Sequence, residues 1–91
     1  NSVAYLDYSK LRFPLKIRKW KRGDFFHPLG MNGKKKLSNF FIDKKIPVSK
    51  KENIYVLESK GEIAWVINHR IDDRFKVISG TKKILRISVS S

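Results

Sequence analysis

Residues 10–51 carry fourteen Lys and Arg against two acids, Asp24 and Asp43, a local balance of +12 out of a formal total of +13. No fold can bury so many uncompensated cations, because each would lose its hydration with no partner to replace it. The basic segment must therefore lie on the surface, and the core must be drawn from the apolar positions threaded through it. The rest of the chain holds seven basic and six acidic residues, a balance of +1, as an ordinary solvated surface does. Mutual repulsion in the basic half disfavours the compact state, so a polyanionic partner is the economical explanation. Nucleic acid is the first candidate. A membrane surface or acidic polysaccharide is the rival from another class, and a structural ribonucleoprotein subunit is a third reading.

The charge is displayed on a folded body. Of 91 residues 41% are hydrophobic, including six Phe, three Tyr and two Trp, more than a disordered basic tail contains. The length fits a single domain over 1–91. The absence of cysteine excludes disulfides, thiol nucleophiles and Cys-ligated zinc. No apolar run approaches the roughly 20 residues that span a bilayer, and the start Asn1-Ser2-Val3-Ala4-Tyr5 has no secretory pattern. No membrane partner and a cytoplasmic location are expected. Because the chain opens on Asn1 rather than Met, it reads as a piece of something longer.

Residues 4–8 and 11–20 read as extended. In the latter, Phe13, Leu15 and Ile17 alternate with Pro14, Lys16 and Arg18, and Pro14 argues for an edge strand. A long connection punctuated by Gly23, Pro28, Gly30 and Gly33 runs into Lys34-Lys35-Lys36. Leu37, Phe40 and Phe41 then follow helical spacing as far as Pro47, with Ile46 joining their face. The three lysines fall at the start of this helix, where a phosphate would be well received. Ser49-x-x-Glu52 matches a capping box. Residues 54–58 and 63–68 flank Ser59-Lys60-Gly61 as a hairpin in which Tyr55, Leu57, Ile63, Trp65 and Ile67 share one buried face. A polar turn over 70–74 and strands over 75–78 and 84–89 complete the chain. The fold class expected is α+β: a small β-rich domain, mixed or antiparallel and sandwich-like, with one or two short helices.

Catalytic motifs fail. Gly30-Met31-Asn32-Gly33-Lys34 lacks the first Gly and the hydroxyl residue of a P-loop, with Pro28 and Lys35 in those places. His27 and His69 have no acidic neighbour at ligand spacing, so neither metal binding nor catalysis is expected of them. A nuclease using Asp24, His27 or Asp72 would need magnesium, but Arg70 and Arg74 flank Asp72-Asp73, which reads better as a salt-bridged turn. Asp24 is expected to cap a turn, and Trp20 to bury its indole rather than stack on a base.

The stretch Arg18-Lys19-Trp20-Lys21-Arg22-Gly23-Asp24-Phe25-Phe26-His27-Pro28-Leu29-Gly30-Met31-Asn32-Gly33-Lys34-Lys35-Lys36-Leu37 continues as Ser38-Asn39-Phe40-Phe41-Ile42-Asp43-Lys44-Lys45-Ile46-Pro47. Together with Ile63-Ala64-Trp65-Val66 and Arg70-Ile71-Asp72-Asp73-Arg74-Phe75, it resembles the C-terminal domain of tRNA(Ile)-lysidine synthetases over roughly residues 11–78. Arg22 stands where that family commonly has Pro, and Asn68-His69 replaces a Gly-containing pair. The resemblance implies a parent ligase that uses ATP and magnesium in a separate catalytic domain to join lysine to the wobble cytidine of isoleucine tRNA. It implies no cofactor and no catalytic residue in this chain, whose partners would be the tRNA body, toward the acceptor stem, and the catalytic domain. The binding residues expected are Arg18, Lys19, Lys21 and Arg22 on one rim, and Lys34, Lys35, Lys36, Lys44 and Lys45 on another, with Arg70 nearby. They would contact phosphates more than bases.

Overall fold

The computed structural model describes residues 2–90. A central antiparallel sheet has the order β2 (Leu15–Lys19), β5 (Tyr55–Ser59), β6 (Glu62–Val66), β7 (Arg70–Ile71). One face is covered by helix α1 (Leu37–Asp43). The other is covered by a two-stranded ribbon of β1 (Val3–Asp7) and β8 (Ile84–Ser88). A short ladder of β3 (Phe25–Phe26) and β4 (Lys35–Lys36) leads into α1, and α2 (Val48–Lys51) leads back to the sheet. The α+β expectation holds, with every strand pair antiparallel.

The hairpin turn is tighter than the sequence implied: only Lys60 and Gly61 lie between the strands, both at positive φ (46° and 86°), as a two-residue turn of matching twist requires. The single buried face expected for this hairpin does not form. A bulge beside Leu57/Glu58 leaves Ala64 as an extra residue, so Ile63 pairs with Glu58 while Trp65 pairs with Leu57. Crossing a bulge inverts the alternation. Ile63 therefore joins Val56 and Val66 under α1, with Phe26, Leu37, Phe40, Phe41 and Ile54. Leu57, Ala64, Trp65 and Ile67 pack under the ribbon with Ala4, Leu6, Leu11 and Phe75. Tyr55 stays exposed.

Other boundaries shift for local reasons. The extended run expected over 11–20 bends at Phe13-Pro14 and becomes a strand only from Leu15. This strand is at the sheet edge, as Pro14 indicated, but Ile17 is left exposed where the ribbon does not reach over it. The capping box is not used: α2 starts behind Pro47, whose carbonyl accepts from Lys50 N–H at 2.9 Å, and Glu52 ends the helix instead. The strand expected over 75–78 is replaced by a 3₁₀ turn, Asp73–Phe75, capped by the Asp72 carboxylate, which accepts from Arg74 N–H at 2.7 Å. Phe75 is buried there and only Lys76 bridges to the ribbon, at Leu6.

Candidate nucleic-acid interface

The amphipathic period Leu37, Phe40, Phe41 puts three apolar side chains under α1 and leaves Asn39, Ile42 and Asp43 exposed on its outer surface. What precedes the helix is the Lys34–Lys36 segment. Gly30 and Gly33 adopt φ of 82° and 81°, conformations open to glycine. The chain turns there so that Asn32, the three lysines and Asn39 line an open hollow of about 420 Å³. The Lys34 ammonium lies 4.6 Å from the Phe25 ring centroid, and Lys35 is paired with Asp43 at the far end of the helix. The helix start offers less to an anion than its sequence implied. It has only two turns, Lys36 caps it without a side-chain bond, and Leu37 N–H already donates to the Asp24 carbonyl at 2.9 Å.

That same bond seats the Lys21–Asp24 turn beside the helix, so exposed Lys21 and Arg22 join Lys34 and Lys36 at this end. At the other end, Lys44 and Arg70 come together over one ring, with Nζ of Lys44 5.7 Å and the Arg70 guanidinium carbon 5.6 Å from the Phe40 centroid. Phe40, Lys44, Asn68, His69 and Arg70 line a second hollow, of about 390 Å³. Burial pushes the His69 imidazole below its ordinary 6.5, so at neutral pH the positive charge here belongs to Lys44 and Arg70. Lys45 follows at positive φ (56°) and is exposed. Lys44 and Arg70 are 26 positions apart in the chain, and only the β6–β7 pairing brings them together.

Two of the expected contacts are placed elsewhere. Arg18 is turned inward on the α1 side of β2, with Nε 2.8 Å from Glu58 Oε1 and Nη1 2.9 Å from Asp24 Oδ2. Its charge is spent on joining β2, β5 and the 21–24 turn. Lys19, one residue on, faces the opposite side of the sheet by strand alternation. Asp24 also accepts from Lys21 N–H at 2.8 Å, the turn-capping role read from sequence. Trp20 is packed, edge-on to Phe41 at 4.9 Å, with its indole N–H donated to the Lys51 carbonyl.

Burial by itself would raise the Asp24 carboxyl, but Arg18 and the Lys21 N–H outweigh it and hold the group below its ordinary 3.8. The Arg18 hydrogen bond holds Glu58 below its ordinary 4.5. Depressed carboxyls contribute stability that is present above their unfolded values and is lost as pH falls through the folded ones. The melting temperature is therefore expected to fall steeply below about pH 4 through these groups. Arg18→Gln, followed by circular dichroism melts, should flatten that decline while lowering stability at pH 7. An unchanged acid profile would overturn the assignment.

Among the described residues no group of three His, Asp or Glu side chains stands close enough to hold a metal ion. Asp72-Asp73 is the salt-bridged turn expected: Asp72 binds Arg74 at 3.0 Å and Asp73 binds Lys76 at 3.1 Å, while Arg70 is directed to Phe40. Among the described residues no helix is long and apolar enough to cross a membrane.

The family model described as "TilS substrate C-terminal domain" matches residues 15–89. The chain belongs to this family of tRNA(Ile)-lysidine synthase C-terminal domains. The TilS C-terminal match runs on through β8, past the 11–78 covered by the sequence motifs. The tRNA(Ile)-lysidine synthase of Parabacteroides distasonis is 48% identical over 86 residues, 94% of this chain and 20% of that protein. That of Bacteroides thetaiotaomicron is 43% identical over 83 residues, again 20% of its length. A crystal structure of a TilS C-terminal domain superposes with a TM-score of 0.78 at 25% identity, covering 100% of this chain and 73% of that one. The chain thus spans about a fifth of the length of these curated relatives.

Proposed function

We propose that this domain grips tRNA, with isoleucine tRNA as its substrate, for a cytoplasmic ligase whose ATP- and magnesium-dependent catalytic domain attaches lysine to the wobble cytidine. The observation that carries the reading is the strip of cations along α1: exposed Lys21, Arg22, Lys34 and Lys36 at one end, exposed Lys44 and Lys45 with half-buried Arg70 at the other. Seven residues of helix separate the ends by about 10 Å, too far apart for one small anion to bridge and enough to reach separate phosphates of a stem. Lysine and arginine grouped at the two ends of a helix read backbone and shape, since the narrow major groove of an RNA helix admits few side chains. Arg18 acts in this scheme as a strut that holds the 21–24 turn in place.

Binding of isoleucine tRNA against other tRNAs, measured by competition in graded salt, tests the reading. If five phosphates are neutralised, log affinity falls against log salt with a slope of about −4. Lys44→Glu with Arg70→Glu is expected to weaken binding at least about tenfold and to reduce the slope by about two. A flat salt response, or equal binding by both proteins, would remove the α1 strip from the site.

A further inference from the structure

The β1–β8 ribbon forms the layer opposite α1, because the two apolar clusters lie on either side of the β5–β6 hairpin. At one end of the ribbon, Tyr8 N–H donates to the Lys83 carbonyl at 2.9 Å, which seats the Tyr8–Lys10 turn beside residue 83. The Lys83 ammonium stands 4.2 Å from the Tyr8 ring centroid. On the same ring packs Phe13, with centroids 5.2 Å apart and planes 35° from parallel, and Phe13 remains 47% exposed. Lys10, Arg12, Lys82 and Lys83, next in sequence to this aromatic pair or seated on it, are exposed, as is Arg86 farther along the ribbon opposite Tyr5, and none makes an ion pair among the described residues. Asp7, the acid in these elements, is 3% exposed, with its carboxylate accepting from Ser9 and Thr81. Its negative charge is turned inward.

We infer that this face is a second RNA-binding surface, one that takes an unpaired strand, with a base on the open face of Phe13 and phosphates on Lys82, Lys83 and Arg12. An aromatic platform is of use only to bases outside a duplex stack, and stacking with flanking cations is how single strands are held without sequence readout. A duplex is stiff over many base pairs, so one seated along α1 does not also wrap to the opposite layer. The surface thus serves a different part of the same RNA. Tyr5 and Ile84 are also exposed on this ribbon, so vesicle binding is the competing outcome that the test includes.

The test uses the chain with three probes: an unstructured RNA of about 12 nucleotides, a blunt RNA duplex, and phosphatidylserine vesicles. Saturating duplex should leave the single strand bound. Phe13→Ala should weaken single-strand binding at least about fivefold, as loss of one stacked base does. Lys82→Glu with Lys83→Glu should weaken it about tenfold, and both variants should keep duplex binding within about twofold. Among the described residues the Lys82 and Lys83 side chains make no hydrogen bonds, so this second variant keeps the fold even where Phe13→Ala does not. Complete displacement of the single strand by duplex would overturn the inference. So would single-strand affinity unchanged in the Lys82/Lys83 variant, or vesicle binding lost in that variant when the single strand does not bind. Failure of the α1 reading shows separately, as duplex binding indifferent to Lys44→Glu with Arg70→Glu.

Discussion

Phe40→Ala is expected to lower stability by about 3–5 kcal/mol, the usual cost of emptying a fully packed aromatic site, and to weaken RNA binding with it. Phe40 is 2% exposed, edge-on to Phe26 at 5.1 Å, and packed with Leu37, Phe41, Val56 and Ile63. Its outer surface is also the floor on which Lys44 and Arg70 rest. Phe40→Leu separates the two roles. It keeps most of the volume, so the stability loss should stay under about 1.5 kcal/mol. The ring that holds the two cations in place is removed, a contact of about 0.5–1 kcal/mol each at exposed sites. Denaturant unfolding should show the first variant strongly destabilised and the second nearly native, while tRNA affinity of the second falls about two- to fivefold. Full affinity in Phe40→Leu would show that Lys44 and Arg70 need no platform.

Asp72→Ala should cost about 2–4 kcal/mol, although no apolar contact is lost. The carboxylate is wholly buried and accepts from His27 N–H at 2.8 Å, Arg74 N–H at 2.7 Å, and Nε and Nη2 of Arg74 at 3.0 Å each. Removing it leaves buried backbone donors without acceptors, the costly case for a hydrogen bond. The loss stays below that of a fully buried ion pair because the Arg74 side chain is 34% exposed and also reaches Glu62, so part of its charge rehydrates. For a domain this size the melting temperature should fall by roughly 8 °C or more. Asp72→Asn, which keeps an acceptor for His27, should lose less. Equal melting temperatures for wild type and Asp72→Ala would mean that the 70–75 turn is held by Phe75 alone.

Local pattern was enough for those elements whose determinants are neighbours in the chain. Leu37, Phe40 and Phe41 specify α1 because helical spacing needs only residues within one turn of each other, and Lys60-Gly61 specifies the hairpin because the turn geometry admits few residues. The strand expected over 75–78 does not form because the Asp72 carboxylate accepts from Arg74 N–H and starts a 3₁₀ turn that runs to Phe75. The bulge at Ala64 left no mark in the sequence, since small and branched residues suit either face of a buried hairpin. Within the site, the motif run from Arg18 to Pro47 located the basic surface. It did not show that Arg18 is committed to Asp24 and Glu58.

By itself, then, the sequence determined that the chain folds, that its positive charge lies outside, that α1 and one hairpin form, and which family's motifs it carries. These follow from composition, spacing and contiguous residues. Tertiary structure alone decided which cations stand free and which are neutralised, because ion pairing depends on partners brought by distant strands. It joined Arg70 to Lys44 across Phe40, and it carried Lys83 from an apparently neutral segment to the Tyr8–Lys10 turn. The pairing of β1 with β8, which closes the two ends of the described chain on each other, is the physical reason that a second basic face exists.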